Sequence, residues 1–320
     1  MRAWLLIAFG CALPAAGVAQ TYPSKTITII VPAPPGGVTD VLARTLAQRF
    51  TAAWGQQAIV ENRPGGNNQV AAEYVTRSPP DGHTLLIGPE VTFIANPALY
   101  GRLNYDPING FTAISGLVII NHALITHPSL PAQNVRELVA LAKQKPGEFN
   151  YGTYGAGSTG HLNMEAFQVV TGTKLTAVHY RGAAPAMTDV VGGHIQLMYV
   201  SVGTAMPQVQ DGKVKLIAIG STKRMEALPN VPTVAENTLP GYQAVSWFGL
   251  FGPPRMPAST VAKINTEVRN LFADPEIKKS VLEQYYFESL AGTPQQLSDR
   301  IKADEPKWRK IIQDAKVKPQ

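Results

Sequence analysis

The chain has 320 residues, of which 45% are hydrophobic and 16% charged, with 28 Lys and Arg against 22 Asp and Glu. This balance excludes a disordered, collagen-like or fibrous chain, and the length suits about two domains of ~150 residues. No apolar run in the body of the chain reaches the ~18 residues of a membrane helix, and basic residues dispersed without interleaved aromatics argue against a nucleic-acid partner.

Residues 1–19 read as a secretory leader. Met1-Arg2 is a basic start, Trp4 to Phe9 an apolar core, and Gly17 and Ala19 a small-residue cleavage site. Gly10, Pro14 and Gly17 suit a buried helix poorly. Phe9 before Gly10 disfavours Cys11 as a lipid anchor. Cleavage after Ala19 would remove Cys11, the only cysteine. No intramolecular disulfide is then expected, and two domains of this size bury enough surface without one.

Residues 26–31 are β-branched and short, which predicts a buried strand. Apolar residues at Val38, Leu42, Leu46 and Phe50 predict a helix over 38–54, closed by Gly55. Strands at 58–60 and 84–87 flank a helix through Val70, Ala71 and Tyr74. A long β-rich run covers 117–126. Helices at 135–143, 158–170, 185–191 and 204–210 then alternate with strands at 149–154, 175–180, 195–200 and 214–219. A second β-rich run covers 242–251. A helix from about Ser259 follows, and a last one opens at Thr293-Pro294, an N-cap and a first-turn proline. Pro306 should break or kink it. The alternation predicts βαβ units and a parallel sheet. The two long β-rich runs read as crossover strands. One α/β domain is then discontinuous, residues 20–120 plus 246–320, and the other spans 121–245.

Two turns carry the chemistry. Pro34-Pro35-Gly36-Gly37-Val38-Thr39-Asp40 follows the first strand and opens a helix, and Tyr154-Gly155-Ala156-Gly157-Ser158-Thr159-Gly160-His161 does the same in the second unit. Glycine lets the backbone approach a ligand, and a helix start offers unpaired N–H donors and partial positive charge. Corresponding loops on two α/β units point to two anion cradles at the carboxyl ends of strands. The mild positive charge fits an anionic small ligand. Gly155-x-Gly157-x-x-Gly160 also matches a dinucleotide fingerprint, with Arg181 placed for a 2′-phosphate, but the acid expected about 20 residues on is missing. An NADP-dependent oxidoreductase stays as an alternative. Ala156-x-Ser158-x-Gly160 is a relaxed nucleophile elbow, but no histidine follows His194 to complete a triad. His83, His122, His127, His161, His179 and His194 show no metal-ligand spacing, and His122 and His127 are expected at a strand's edge. No catalytic residue, metal or cofactor is expected.

The chain carries Tyr22-Pro23, Val31-Pro32-Ala33-Pro34-Pro35-Gly36-Gly37-Val38-Thr39-Asp40, Glu61-Asn62-Arg63-Pro64-Gly65-Gly66 and Ser78-Pro79-Pro80-Asp81-Gly82-His83-Thr84-Leu85-Leu86, then Ile94-Ala95-Asn96-Pro97. Further on come Tyr180-Arg181-Gly182-Ala183-Ala184-Pro185-Ala186-Met187-Thr188-Asp189 and Leu228-Pro229-Asn230-Val231-Pro232-Thr233. This ordered set resembles the extracytoplasmic solute receptors of tripartite tricarboxylate transporters, the Bug family, over nearly all of the chain after the leader. The resemblance implies a periplasmic-binding-protein-like fold of type II, two α/β domains with mixed or parallel sheets joined by crossover strands and a cleft between them. It implies a monomeric periplasmic receptor, not an enzyme. Its ligand would be a small carboxylate (a dicarboxylate, tricarboxylate or aromatic acid), handed to membrane permease subunits. A ligand sensor presenting the acid to a signalling partner is the alternative.

The resemblance also implies site residues: Ala33, Pro34, Pro35, Gly36, Gly37, Thr39 and Asp40 on the first loop, Gly157, Ser158, Thr159 and His161 on the second, and the turn Tyr180, Arg181, Gly182, Ala183. Asp40 and Asp189 are expected mainly to cap or brace their helices. Two positions depart from the family pattern. Glu90 stands where a small or amide residue is frequent, so it is expected to meet an amino group or water, or to turn outward. Val200-Ser201 stands where Asp-Asn is common. A less polar pocket beside Ser201 would admit a bulkier apolar or aromatic acid.

Overall fold

The computed structural model describes residues 21–237, 239 and 241–317. The expected leader, with Cys11, lies outside the described residues. Strands β1 (Ile27–Val31), β2 (Ala58–Asn62) and β3 (Thr84–Pro89) alternate with helices α1 (Val38–Trp54) and α2 (Gln69–Thr76). A π-turn at Val91–Ala95 runs into α3 (Asn96–Leu99), and β4 (Thr112–Thr126) follows. Next come α4 (Val135–Gln144), β5 (Asn150–Thr153), α5 (Thr159–Thr171), β6 (Thr176–His179), α6 (Ala183–Val191), β7 (Leu197–Ser201), α7 (Val202–Gln210), β8 (Lys215–Ile219) and α8 (Val234–Asn237). The chain closes with β9 (Val245–Gly252), α9 (Ala258–Ala273), α10 (Pro275–Ile277), β10 (Phe287–Ser289) and α11 (Pro294–Asp314).

The strands pair in the order β2-β1-β3-β9-β4-β7-β5-β6, with β8 and β10 also on β4. The sheet is mixed, as the fold class allows, and the parallel pairing expected from the alternation holds within each half. β1 is parallel to β2 and β3, and β5 to β6 and β7. β9 and β4 run antiparallel to their neighbours, so the sheet is mixed. β4 explains the topology. Its 15 residues serve two sets of partners. Thr112 to Asn121 pair with β9, and His122 to Thr126 pair with β7 and β8.

The apolar patterns seal two sets of cores. In the first set, Ile27, Ile29, Leu85 and Ile87 pack with Leu42, Leu46 and Phe50 of α1 and Ile264, Val268 and Leu271 of α9. Beside it, Phe93, Trp247 and Phe251 pack with Leu297, Ile301 and Trp308 of α11. In the second set, Leu124, Tyr151, Leu197 and Tyr199 pack with Val135 and Leu138 of α4 and Phe167 of α5. A further cluster joins Ile125, Met198 and Val200 to α6 and α7.

Helix α11 begins as predicted. Thr293 caps it in a reciprocal box with Gln296, and Pro294 occupies the first turn. Of the break or kink expected at Pro306, the break does not occur, and α11 is continuous to Asp314. Pro306 and Lys302 are both exposed, so the carbonyl that loses its partner faces water, while Ile301 and Trp308 anchor the helix on either side. The π-turn, α3, α8, α10 and β10 have no counterpart among the predicted elements.

Phe50 has no solvent exposure and stacks on Trp54 with ring centroids 4.6 Å apart. Phe50→Ala is expected to lower the unfolding free energy by about 3–5 kcal/mol. Exposed Val169→Ala should stay within about 0.5 kcal/mol. Urea unfolding of the two variants checks the contrast.

Candidate functional site

A cavity of about 790 Å³ lies where the ends of β1, β3 and β7 and the loops that follow them meet the middle of β4 and the first half of β9. The N-termini of four helices open on it: Gly37, Val38 and Thr39 of α1, Ser158 and Thr159 of α5, Gly182 and Ala183 of α6, and Ser201 and Thr204 of α7. Each N-terminus carries unpaired N–H groups and partial positive charge. The four are not equivalent. Ser158 caps α5 by accepting from His161 N–H at 3.4 Å, and Ser201 caps α7 by accepting from Thr204 N–H at 3.3 Å. Helices α1 and α6 have glycine N-caps and no side-chain cap bond. Their first N–H groups are therefore the ones left for an acceptor in the cavity.

Much of the remaining wall is apolar. Ile120 of β4, Val200 of β7, Phe248 of β9 and Tyr154 contribute to it. Among the described residues the wall carries one arginine, Arg181, and one carboxyl, Glu90.

Of the predicted site residues, Ala33, Pro34, Gly37, Thr39, Glu90, Ser158, Thr159, Arg181, Gly182, Ala183 and Ser201 come together on the wall. Six do not. Pro35 and Gly36 are exposed and lie outside the cavity. Asp40 sits behind its loop. Its Oδ2 accepts from Gly36 N–H at 3.1 Å and Arg44 Nε at 2.8 Å, and its Oδ1 accepts from Asn62 Nδ2 at 3.1 Å. The Arg44 hydrogen bond holds the Asp40 carboxyl below the usual range. Asp40 thus fixes the first loop and offers the cavity no charge.

Gly157 and His161 also act from behind. Gly157 adopts φ +72°, and its N–H donates to His161 Nδ1 at 2.9 Å. Burial, then His179, push the His161 imidazole down to about 4, which leaves Nδ1 free to accept. Tyr180 is turned away from the cavity, and its hydroxyl donates to Asp189 Oδ2 at 2.6 Å. Asp189 also lies 3.2 Å from His194 Nδ1, so it braces the turn that presents Arg181 and Gly182.

Glu90 points inward. It is only 1% exposed. Its Oε1 accepts from the Thr159 hydroxyl at 2.7 Å and its Oε2 from Trp247 N–H at 3.2 Å. The bond to Thr159 joins the end of β3 to the start of α5. Burial, with no compensating cation, raises the carboxyl to about 7.

Several wall residues were missed by the sequence reading. Asn67 and Asn68 both adopt left-handed backbone, φ 50° and 75°. Asn67 exchanges hydrogen bonds with buried Asn96, 2.8 Å each way, and Asn96 also donates to Tyr105 at 3.1 Å. The signal available was a pair of asparagines after Pro64-Gly65-Gly66, since asparagine tolerates this conformation. His122 was expected at a strand's edge. It lies instead within the central strand β4, in register with Ser201, because β7 covers that side. Its Nε2 is 3.0 Å from Ser246 Oγ, and burial lowers the imidazole to about 4.

Two α/β halves sharing long antiparallel strands and one cavity lined by helix N-termini define a two-domain solute-binding receptor with the type II periplasmic-binding-protein fold. The chain belongs to the TctC family, the tripartite tricarboxylate transporter family receptors, whose pattern matches residues 42–317. A UPF0065 protein of Agrobacterium vitis is 32% identical over 312 residues, which are 95% of this chain and 88% of that one. The protein BugT of Bordetella pertussis is 28% identical over 98% of each chain. Among solved structures, an R. palustris protein with adipate superposes with a TM-score of 0.87 at 33% identity, covering 93% of this chain and 100% of its own. MatC of Rhodopseudomonas palustris, with bound malate, gives 0.81 at 28%, covering 91% and 100%.

Two glycines separate support from wall. A Cβ on Gly37 would meet nothing within 4 Å and its φ is −85°, whereas one on Gly157 would lie 2.7 Å from Leu99 Cδ1 at a strained φ. Gly37→Leu is expected to keep its unfolding free energy within about 0.5 kcal/mol. Gly157→Leu should lose roughly 1–3 kcal/mol or more. Thermal unfolding followed by circular dichroism distinguishes them.

Proposed function

We propose that this chain is an exported receptor that captures a small carboxylate in the cavity and delivers it to the membrane permease of a tripartite transporter. The observation that carries the reading is the pair of uncapped helix N-termini, α1 and α6, opening on one cavity from the two halves of the sheet. A carboxylate has lone pairs for both, and the Arg181 guanidinium at the rim adds attraction. The adipate and malate of the solved relatives support an acid ligand. The apolar wall at Ile120, Val200 and Phe248 supports a ligand with a hydrocarbon or aromatic body between its polar ends.

In this reading residues 1–19 are a cleaved leader and the receptor works in the periplasm as a monomer. Residues 20–120 plus 246–320 form one lobe and 121–245 the other. β4 and β9 connect them, and hinge closure buries the ligand. The receptor performs no chemistry on it. The Ser158 hydroxyl is engaged as a helix cap, which supports binding over nucleophilic catalysis. The close approach of Gly160 to the Tyr199 carbonyl supports helix–strand packing as the reason for that glycine, over dinucleotide recognition.

The mature protein should be stabilised by an organic acid added above its dissociation constant, by about 2.7 kcal/mol at a hundredfold excess over Kd. A thermal-shift series with adipate, malate, citrate and aromatic acids, followed by calorimetry, tests this. NADP should give no shift. Gly37→Leu adds a side chain at an unstrained position on the cavity wall and should lower affinity at least about tenfold, a loss of about 1.4 kcal/mol. Failure of every acid to bind would overturn the reading, and citrate binding far tighter than the others would overturn the apolar-bodied ligand. Loss of acid uptake in a deletion strain separates transport from sensing.

A further inference from the structure

Glu90 is out of keeping with its surroundings. Four helix N-termini make the cavity attractive to negative charge, yet a carboxyl is built into its wall beside one of them. Its two acceptor contacts, Thr159 Oγ1 at 2.7 Å and Trp247 N–H at 3.2 Å, supply hydrogen bonds but no countercharge. The charge that acts on it is Asp304 of α11, which repels. Asp304 accepts from Trp247 Nε1 at 2.9 Å and is itself offset by Arg300 at 3.5 Å and by nearby Lys307. Tyr154, ahead of α5, is held neutral by burial, and His122 of β4 likewise. Arg181 is exposed on the same cavity wall. Two carboxylates confined together in such a site cannot both stay ionised without a large cost.

We propose that Glu90 is a proton-linked specificity residue: an anionic group is accepted beside the α5 N-terminus only when the Glu90 carboxyl carries a proton. This rests on the carboxylate-receptor reading above and names what that site selects. In the neutral form Glu90 becomes a donor. The Thr159 hydroxyl, which can reverse its role, or an oxygen of the ligand takes that proton as a hydrogen bond. In the ionised form the same oxygen repels the ligand. The receptor therefore binds a ligand together with a proton above neutrality, and its affinity for acids falls as the solution becomes alkaline. Burial raises the carboxyl to about 7, which puts the change in the working range of an exported protein.

The test compares wild type with Glu90→Gln, which keeps an oxygen for Thr159 or Trp247 and removes the titration. Adipate is titrated calorimetrically between about pH 6 and pH 8.5 in buffers of different ionisation enthalpy. Wild-type affinity should fall by up to about tenfold per pH unit above neutrality, with about one proton taken up per ligand, and the variant should show neither effect. A ligand-free measurement runs beside it. A raised carboxyl is neutral in folded and unfolded chains below about 4.5 and ionised in both above about 7, so its burial penalty appears between those values and persists above. Glu90→Gln should melt higher than wild type in alkaline buffer, and the gap should close toward acid pH.

Equal slopes in both proteins overturn the proposal. So does wild-type affinity that rises with pH, which would set a cationic ligand group against an ionised Glu90. If the variant binds nothing, the wild-type proton count decides, and zero uptake overturns the proposal. No heat from adipate or any other organic acid with either protein, while the melting gap is present, overturns the carboxylate reading itself.

Discussion

An anion brought out of water needs positive charge already fixed in place, and this chain supplies it largely with peptide dipoles. Strands β1, β5, β6 and β7 each lead, directly or through a short loop, into a helix whose start lies on the cavity. Much of the rest of the structure holds those starts still. Asp40 ties the first loop through Gly36 and Asn62, His161 ties the second through Gly157, and Asp189 ties the third through Tyr180. Each support is a titratable group used behind the loop, with its own charge paired or suppressed. The wall in front keeps little charge of its own.

The capping pattern divides the labour. Where serine caps a helix, at α5 and α7, the chain satisfies one N–H itself and leaves a hydroxyl at the surface of the cavity. Where glycine caps it, at α1 and α6, the N–H groups stay open and no side chain stands in the way. The serine caps give α5 and α7 a partner of their own, while the glycine caps leave α1 and α6 without one. Open N-termini contributed from both halves give a ligand a reason to hold the halves together, since neither alone completes its coordination.

Much of this was legible in the sequence, and the limits are physical. β-branched runs followed by glycine and a 3.6-residue apolar period identify a strand, a turn and a helix from local forces alone, so α1, α5 and the Thr293 cap could be read directly. Whether a loop residue faces the ligand or props the loop depends on which way a side chain leaves a turn. Pro35, Gly36 and Asp40 share a segment with Gly37 and Thr39 and still point elsewhere. Strand order is also non-local. Nothing near His122 says that β7 will lie along it, so the residue read as an edge position and proved central. At Pro306 the intrinsic preference is local, but packing at Ile301 and Trp308 carries the helix past it without a break.

In the proposed receptor, backbone donors would grip any carboxylate alike, so they could not choose among acids. Choice must come from the side chains between the grips, where Ile120, Val200 and Phe248 set the width and greasiness of the gap and Glu90 and Arg181 set its charge. Of these, Glu90 alone is both buried and ionisable near neutrality. It is also bonded to Thr159 at the start of α5. In the proposed receptor a carboxyl in that position couples two things that a plain apolar wall would leave independent: the charge of the ligand and the acidity of the medium.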